Sequence, residues 1–372
     1  MQVQNKPLTE NYVGLDFLRA LAIFVVYFYH NLVLFPHPEW LASVAKFGWV
    51  GVDLFFALSG FLIASQLFAK VVAGQKISLR DFFIKRFFRI MPVFFVVLGL
   101  YFIFPVLREN PSLAPLWKFL TFTQNLGLDR TTQSGFSHAW SLCVEEQFYL
   151  LFPLLLITTV KLNLLKKSYL LVLALFVSGF FARYYAWDTW VLPFMGTDVF
   201  STHWYEWIYY PTYARLDGLL AGISIAALYQ FKPHLKSRIQ IYGNSILLLG
   251  LVVLSLAYRV CLEDKSFTMA LFGFPLVDLG CGLLVLGAVC KESFLYRFKS
   301  YLFSKLAALS YAIYLIHKIA LHVSQEYLFI SFTSRDSNLM MFLAVLTTLL
   351  VSLLLNSLIE KPFMTLRRKF VV

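Results

Sequence analysis

Apolar residues in this chain run in long blocks broken by short polar and basic segments. The blocks lie near 14–35, 47–69, 90–107, 140–160, 168–187, 209–229, 240–259, 270–290, 305–330 and 339–359. Crossing the hydrocarbon core takes roughly 20 mostly apolar residues per helix, and each block is close to that. The apolar/polar alternation of a membrane β-barrel is absent, so closed helices are left to satisfy the backbone in lipid. The pattern predicts an all-α polytopic bundle of about ten transmembrane helices. No hydrophilic stretch is long enough for a separate soluble domain and no internal repeat is visible, so residues 1–372 read as one membrane domain.

Composition strengthens this picture. Of 372 residues, 59% are hydrophobic and 14% charged, against about 25% charged in soluble domains. A net charge of +12 could signal nucleic acid, but its placement argues otherwise. With the N-terminus cytoplasmic, 21 of the 32 Lys and Arg fall on inner segments, among them Lys6, the 70–89 loop and the 361–369 tail. Seven fall on outer loops and four, Arg19, Arg183, Arg215 and Lys318, within spans. Cytoplasmic loops are enriched in this way, so the basic excess reads as topology and as a partner for membrane lipid, with both termini inside. Asp16 and Arg19 interrupt the apolar stretch a cleavable signal would need. Cys143, Cys261, Cys281 and Cys290 lack metal-ligand spacing and read as small buried residues.

Two outer segments are rich in aromatics: Trp117 to Phe122, and the loop from Trp187 to Trp207. Such rings favour the membrane interface; the same rings could stack on a sugar.

Ionisable side chains at bilayer depth cost about 2.5–3.5 kcal/mol each on insertion scales. Here they include Arg19, His30, Asp53, Glu145, Glu146, Arg183, Arg215, Asp217, Asp278 and His317. Arg19 falls near the inner surface and His30 about 16 Å further out at the helical rise. Asp53, Glu145 and Glu146 fall about one turn below the outer surface, and Arg215 and Asp217 about two turns into the sixth helix. These positions predict a polar cavity in the outer half of the bilayer, although individual pairs could instead be structural. His30 is the best proton-transfer candidate, because its ordinary pKa lies near neutrality. Asp53, Glu145 or Glu146 could orient it. On the inner side Arg86 and Arg89 share a helical face and suit phosphate oxygens.

Several of these segments, in order, resemble the acyltransferase-3 family of bacterial membrane O-acyltransferases. They are Leu15 to Ala20 followed by His30; Gly51 to Leu62; Arg86 and Arg89; His138-Ala139-Trp140-Ser141-Leu142 through Tyr149; Arg215-Leu216-Asp217; Ser310-Tyr311 through Tyr314 to His317; and Ile359 to Phe363. The resemblance implies transfer of an acyl group, usually acetyl, from cytoplasmic acyl-CoA to a hydroxyl of an envelope carbohydrate or glycolipid at the bacterial inner membrane. It makes His30, Glu145 and Asp53 the catalytic candidates, with His30 as general base or transient acyl carrier. Arg19, Arg86 and Arg89 would hold the CoA phosphates. Trp140, Ser141, Tyr149, Arg215, Asp217 and His317 would bind substrate. Acyl-CoA enters as donor substrate, with no permanently bound cofactor and no metal site. Some members carry a soluble hydrolase-like domain after the last helix. This chain stops soon after Glu360-Lys361-Pro362, which reads as a helix terminator, so the membrane domain would finish the reaction or hand over to a separate envelope protein.

Two other functions fit the buried charges. One is a secondary transporter or flippase for a glycolipid or polyol, against which the missing repeat weighs. The other is a non-catalytic sensor or scaffold.

Overall fold

The computed structural model describes residues 12–371; Lys6 lies outside them. Among the described residues there is no strand, only an isolated bridge between Leu113 and Gly135. Nine helical stretches among the described residues are long and apolar enough to cross a membrane, and the chain is a multi-pass integral membrane protein.

Ten helices carry the architecture: α1 Val13–Leu34, α2 Val50–Val72, α3 Leu79–Ile103, α4 Trp140–Lys161, α5 Ser168–Ala186, α6 Asp217–Phe231, α7 Gly243–Val260, α8 Phe274–Val289, α9 Tyr301–Val323 and α10 Asn338–Leu355. Burial divides them. α2 and α9 are mostly enclosed by the others, whereas α5 and α7 turn most of their length outward. Their exposed side chains, including Leu173, Phe181, Leu248 and Leu251, are those expected against lipid.

Three boundaries depart from the hydropathy pattern. α3 starts at Leu79, not near 90, because Ser78 caps it by accepting from the Asp81 amide at 3.2 Å; Arg86 and Arg89 therefore stand on the helix itself. The expected sixth span, 209–229, is shorter. A wide turn at Tyr205–Tyr209 and a tight one at Thr212–Ala214, after Pro211, precede α6. Arg215 and Asp217 thus sit at the mouth of α6 rather than two turns into it. The third departure concerns Pro362, which does not end the last helix. A wide turn at Asn356–Glu360 leads into a further helix, Lys361–Leu366, with Pro362 in its first turn, where the missing N–H costs nothing.

The 15 residues of α6 reach only about 22 Å, less than the bilayer core. α6 is sheltered by close packing on α2. A methyl group at Gly222 would collide with the Ala57 carbonyl oxygen, and one at Gly60 with that of Leu219. Small residues permit this approach, which van der Waals contact then stabilises without any gain from expelling water.

The 108–139 segment folds back over the outer end of the bundle. The Phe136 ring stacks on Tyr101 at 4.4 Å and on Phe119 at 5.4 Å. Leu116, Trp117 and Leu120 remain exposed, as an interfacial patch would be. In the Trp187–Trp207 loop, Trp190 and Trp207 stack on each other at 4.2 Å while Trp187 and Trp204 are buried. These rings mostly occupy one another.

Candidate active site

Two cavities lie one above the other between the same four helices. The inner one is lined by Arg19 of α1, Ser59 of α2, Glu145 and Tyr149 of α4, and Tyr311 and Tyr314 of α9, with Arg86 and Arg89 of α3 at its mouth. The outer one is lined by Tyr29 and His30 of α1, Trp49 before α2, His138 before α4 with Trp140 at its start, and Lys318 of α9. Arg130, Tyr205, Tyr209 and Tyr210 complete its wall. Val52 borders both cavities. Between them Ser141 Oγ and Tyr314 Oη are 2.6 Å apart, and the Tyr314 hydroxyl donates to the His138 carbonyl at 2.7 Å. The inner cavity, about 160 Å³, has room for several waters.

Basic groups at the inner mouth have different degrees of freedom. Arg89 pairs with Glu360, and Arg19 lies 3.5 Å from Asp16. Arg86 donates only to the neutral Gln66 amide oxygen, at 3.2 Å, so its charge has no direct carboxylate partner among the described residues. Because Arg89 binds the segment after α10 and shares a cavity with Arg19, both ends of the bundle meet on this face. Further in, Tyr149 donates to Glu145 at 2.8 Å, one helical turn apart on α4.

In the outer cavity His30 Nδ1 lies 3.0 Å from His317 Nε2, and His317 Nδ1 lies 2.7 Å from the Tyr314 carbonyl oxygen. A carbonyl only accepts, so His317 Nδ1 carries a proton, and in neutral His317 the other nitrogen is then an acceptor. His30 donates to it from Nδ1, which leaves His30 Nε2 with a lone pair able to take a proton. His138 adds a third imidazole, its ring 4.9 Å from that of His317, with Nε2 held 3.3 Å from the Leu315 carbonyl. Lys318 reaches Ser137 at 3.1 Å and Glu109 at 3.5 Å.

A separate group of charges lines neither cavity and lies behind the aromatic wall of the outer one. Asp53 pairs with Arg215, whose guanidinium packs on Phe274 at 4.2 Å and Tyr209 at 4.7 Å. Arg183 pairs with Asp217 at 2.5 Å and donates to the Ala214 carbonyl at 2.8 Å. Asp278 lies among them, with both carboxyl oxygens lacking a hydrogen-bond partner. All five are at most 3% exposed.

The single outer cavity expected from the sequence is therefore divided. His30 and Trp140 line the outer cavity, with His317 fully buried behind His30; Arg19, Arg86, Arg89, Ser141, Glu145 and Tyr149 line the inner one. Asp53, Arg215 and Asp217 line neither, because each is engaged in the dry cluster. Among the described residues no carboxylate is bonded to His30; the His317 imidazole takes that place. Glu145 lies in the inner half, not at the outer level expected. His138, Glu109 and Arg130 were not among the site residues expected from the sequence, although His138 stood in the His-Ala-Trp-Ser segment and Arg130 among the outer-loop cations. Among the described residues no three His, Cys, Asp or Glu side chains converge on a metal position.

Residues 12–357 match the acyltransferase domain family. The chain belongs to this family. Over 235 residues it is 32% identical to the peptidoglycan O-acetyltransferase OatA of Listeria monocytogenes, covering 59% of this chain and 34% of that protein. Over 304 residues it is 29% identical to the O-acetyltransferase OatA of Staphylococcus aureus, covering 77% of this chain and 46% of that one. The matches thus span less than half the length of these relatives. No solved structure matches the chain.

Proposed function

We propose that this chain transfers an acetyl group from acetyl-CoA to a hydroxyl of an envelope carbohydrate, with donor and acceptor entering from opposite faces. The observation that carries this reading is the shared path: α1, α2, α4 and α9 each line both cavities, with arginines at one end and His30 at the other. The relatives, by name O-acetyltransferases and in one case a peptidoglycan O-acetyltransferase, supply the acyl group and an envelope glycan as the acceptor class.

Arg86 is the principal phosphate ligand, with Arg19 and Arg89 adding charge; arginine forks match phosphate oxygens. The pantetheine arm lies along the inner cavity, where Ser59, Glu145 and Tyr149 offer hydrogen bonds to its amides. Its thioester reaches the level of His30 when the Ser141–Tyr314 contact opens. His30 Nε2 takes the acceptor hydroxyl proton as the oxygen attacks the thioester carbonyl. The C–S bond then breaks, and the proton passes from His30 to the departing thiolate. His317 is a positioning residue that fixes the tautomer of His30. Asp53, Arg215 and Asp217 hold the bundle together and take no part in the chemistry.

The reading is tested with labelled acetyl-CoA and soluble peptidoglycan fragments given to the purified protein in nanodiscs. Label on glycan hydroxyls, with a raised KM for acetyl-CoA in Arg86→Ala, is the expected result. A folded wild type that neither binds nor consumes acetyl-CoA overturns it and favours a transporter.

A further inference from the structure

We propose that Arg130 forms a subsite for an anionic group at the outer cavity, so that the acceptor is a glycan bearing a carboxylate or phosphate near the hydroxyl that is acylated. The proposal rests on the acyl-transfer reading and gives that acceptor a chemical class.

The cavity wall is aromatic and cationic. Tyr29, Trp140, Tyr205 and Tyr209 present ring surfaces suited to a sugar, and no Asp or Glu lines the cavity among the described residues. Of its two cations, Lys318 is compensated by Glu109 at 3.5 Å. Glu109 is in turn fixed by the Tyr101 hydroxyl at 2.8 Å and the Phe136 amide at 3.2 Å. Arg130 has no such partner: its guanidinium lies 4.0 Å over the Tyr205 ring, and no carboxylate is within ion-pair distance among the described residues. The adjacent Asp129 is already occupied, accepting from Thr131 at 2.6 Å and Thr132 at 2.8 Å. One uncompensated positive charge therefore borders the cavity that holds His30. A guanidinium fork stacked on an aromatic ring is well suited to grip a carboxylate or phosphate, and an anion bound there brings its sugar alongside Tyr205 and Trp140.

The test uses the full chain in nanodiscs of uncharged phosphatidylcholine, titrated by tryptophan fluorescence with three probes. One is chitotetraose, which is neutral. The second is a tetrasaccharide of alternating glucuronate and N-acetylglucosamine, and the third a glycerol-phosphate tetramer. At least one anionic probe should bind about tenfold tighter than chitotetraose, the worth of one good charge-assisted contact. Which one does so separates a carboxylate-bearing from a phosphate-bearing acceptor. Arg130→Gln should weaken the anionic probe to the level of chitotetraose in the same variant, and Arg130→Lys should keep part of the preference. Equal binding of all three probes by the wild type overturns the proposal. So does a preference that survives in Arg130→Gln, or one lost equally in the Lys and Gln variants. Absence of glycan binding by a protein that still consumes acetyl-CoA also overturns it, and leaves acyl transfer standing. Selective anion binding without acetyl-CoA consumption supports the subsite and counts against transfer alone.

Discussion

The protein carries two sets of ionisable residues inside its bundle, and they are built on opposite plans. Around α6 the set is dry: Asp53 with Arg215 and Asp217 with Arg183, all enclosed by aromatic and apolar side chains. Along α1, α3, α4 and α9 the set borders cavities, and its members have capacity to spare: among the described residues Arg86 donates only to a neutral amide, and His30 keeps a lone pair. Both sets stand in apolar runs of sequence, so a charge in such a run does not by itself reveal function. The distinction is whether a charge is enclosed among other buried charges or borders a cavity that a ligand can enter.

That contrast can be broken most forcefully at the dry pair. Arg215→Ala leaves Asp53 buried and unpaired, which should cost about 3–5 kcal/mol and remove most folded protein, as measured by detergent melting curves. A double replacement by apolar residues, Asp53→Leu with Arg215→Met, should recover part of that loss; no recovery would give the pair a role beyond holding helices. Gly222→Val should cost about 1–3 kcal/mol through overpacking against α2, seen in the same melts. His317→Ala is expected to lower acetyl-CoA turnover per folded molecule about tenfold, since it frees the tautomer of His30 without removing the base, with a smaller fall in melting temperature from the buried space it leaves. A fall in stability that accounts for the whole loss of turnover would move His317 into the structural set. The smallest effect belongs to Asp278→Asn. Its carboxyl group has no hydrogen-bond partner among the described residues to lose and lines neither cavity, so turnover per folded molecule should stay within about twofold of wild type.

Much of this division was beyond the reach of the sequence, for reasons particular residues make plain. Helices α1, α2, α4, α5 and α7 through α10 were legible because hydropathy measures what lipid demands. The start of α3 was not, since its first turns are amphipathic and set by the Ser78 cap. Nor was the delayed start of α6, although Pro211 marked the break. His30, Arg19, Arg86 and Arg89 stood out as charge in apolar runs, and the structure places each beside a cavity. Asp53 stood out equally, yet its partner Arg215 lies 162 positions away, and no local pattern records such a pairing. Glu145 was placed too far outward because its helix begins in a buried turn rather than at the surface. The His30–His317 contact spans 287 positions and replaces the carboxylate that general experience with catalytic histidines led one to expect.

The central claim is that the cavity-lining histidine does chemistry while the dry charges hold the fold. It is tested most directly by acetyl-CoA turnover per folded molecule in His30→Ala, with the melting temperature recorded on the same sample. The account predicts a loss of at least about 100-fold, the usual worth of a general base, at an unchanged melting temperature. Turnover at the wild-type rate in a folded His30→Ala protein would contradict it.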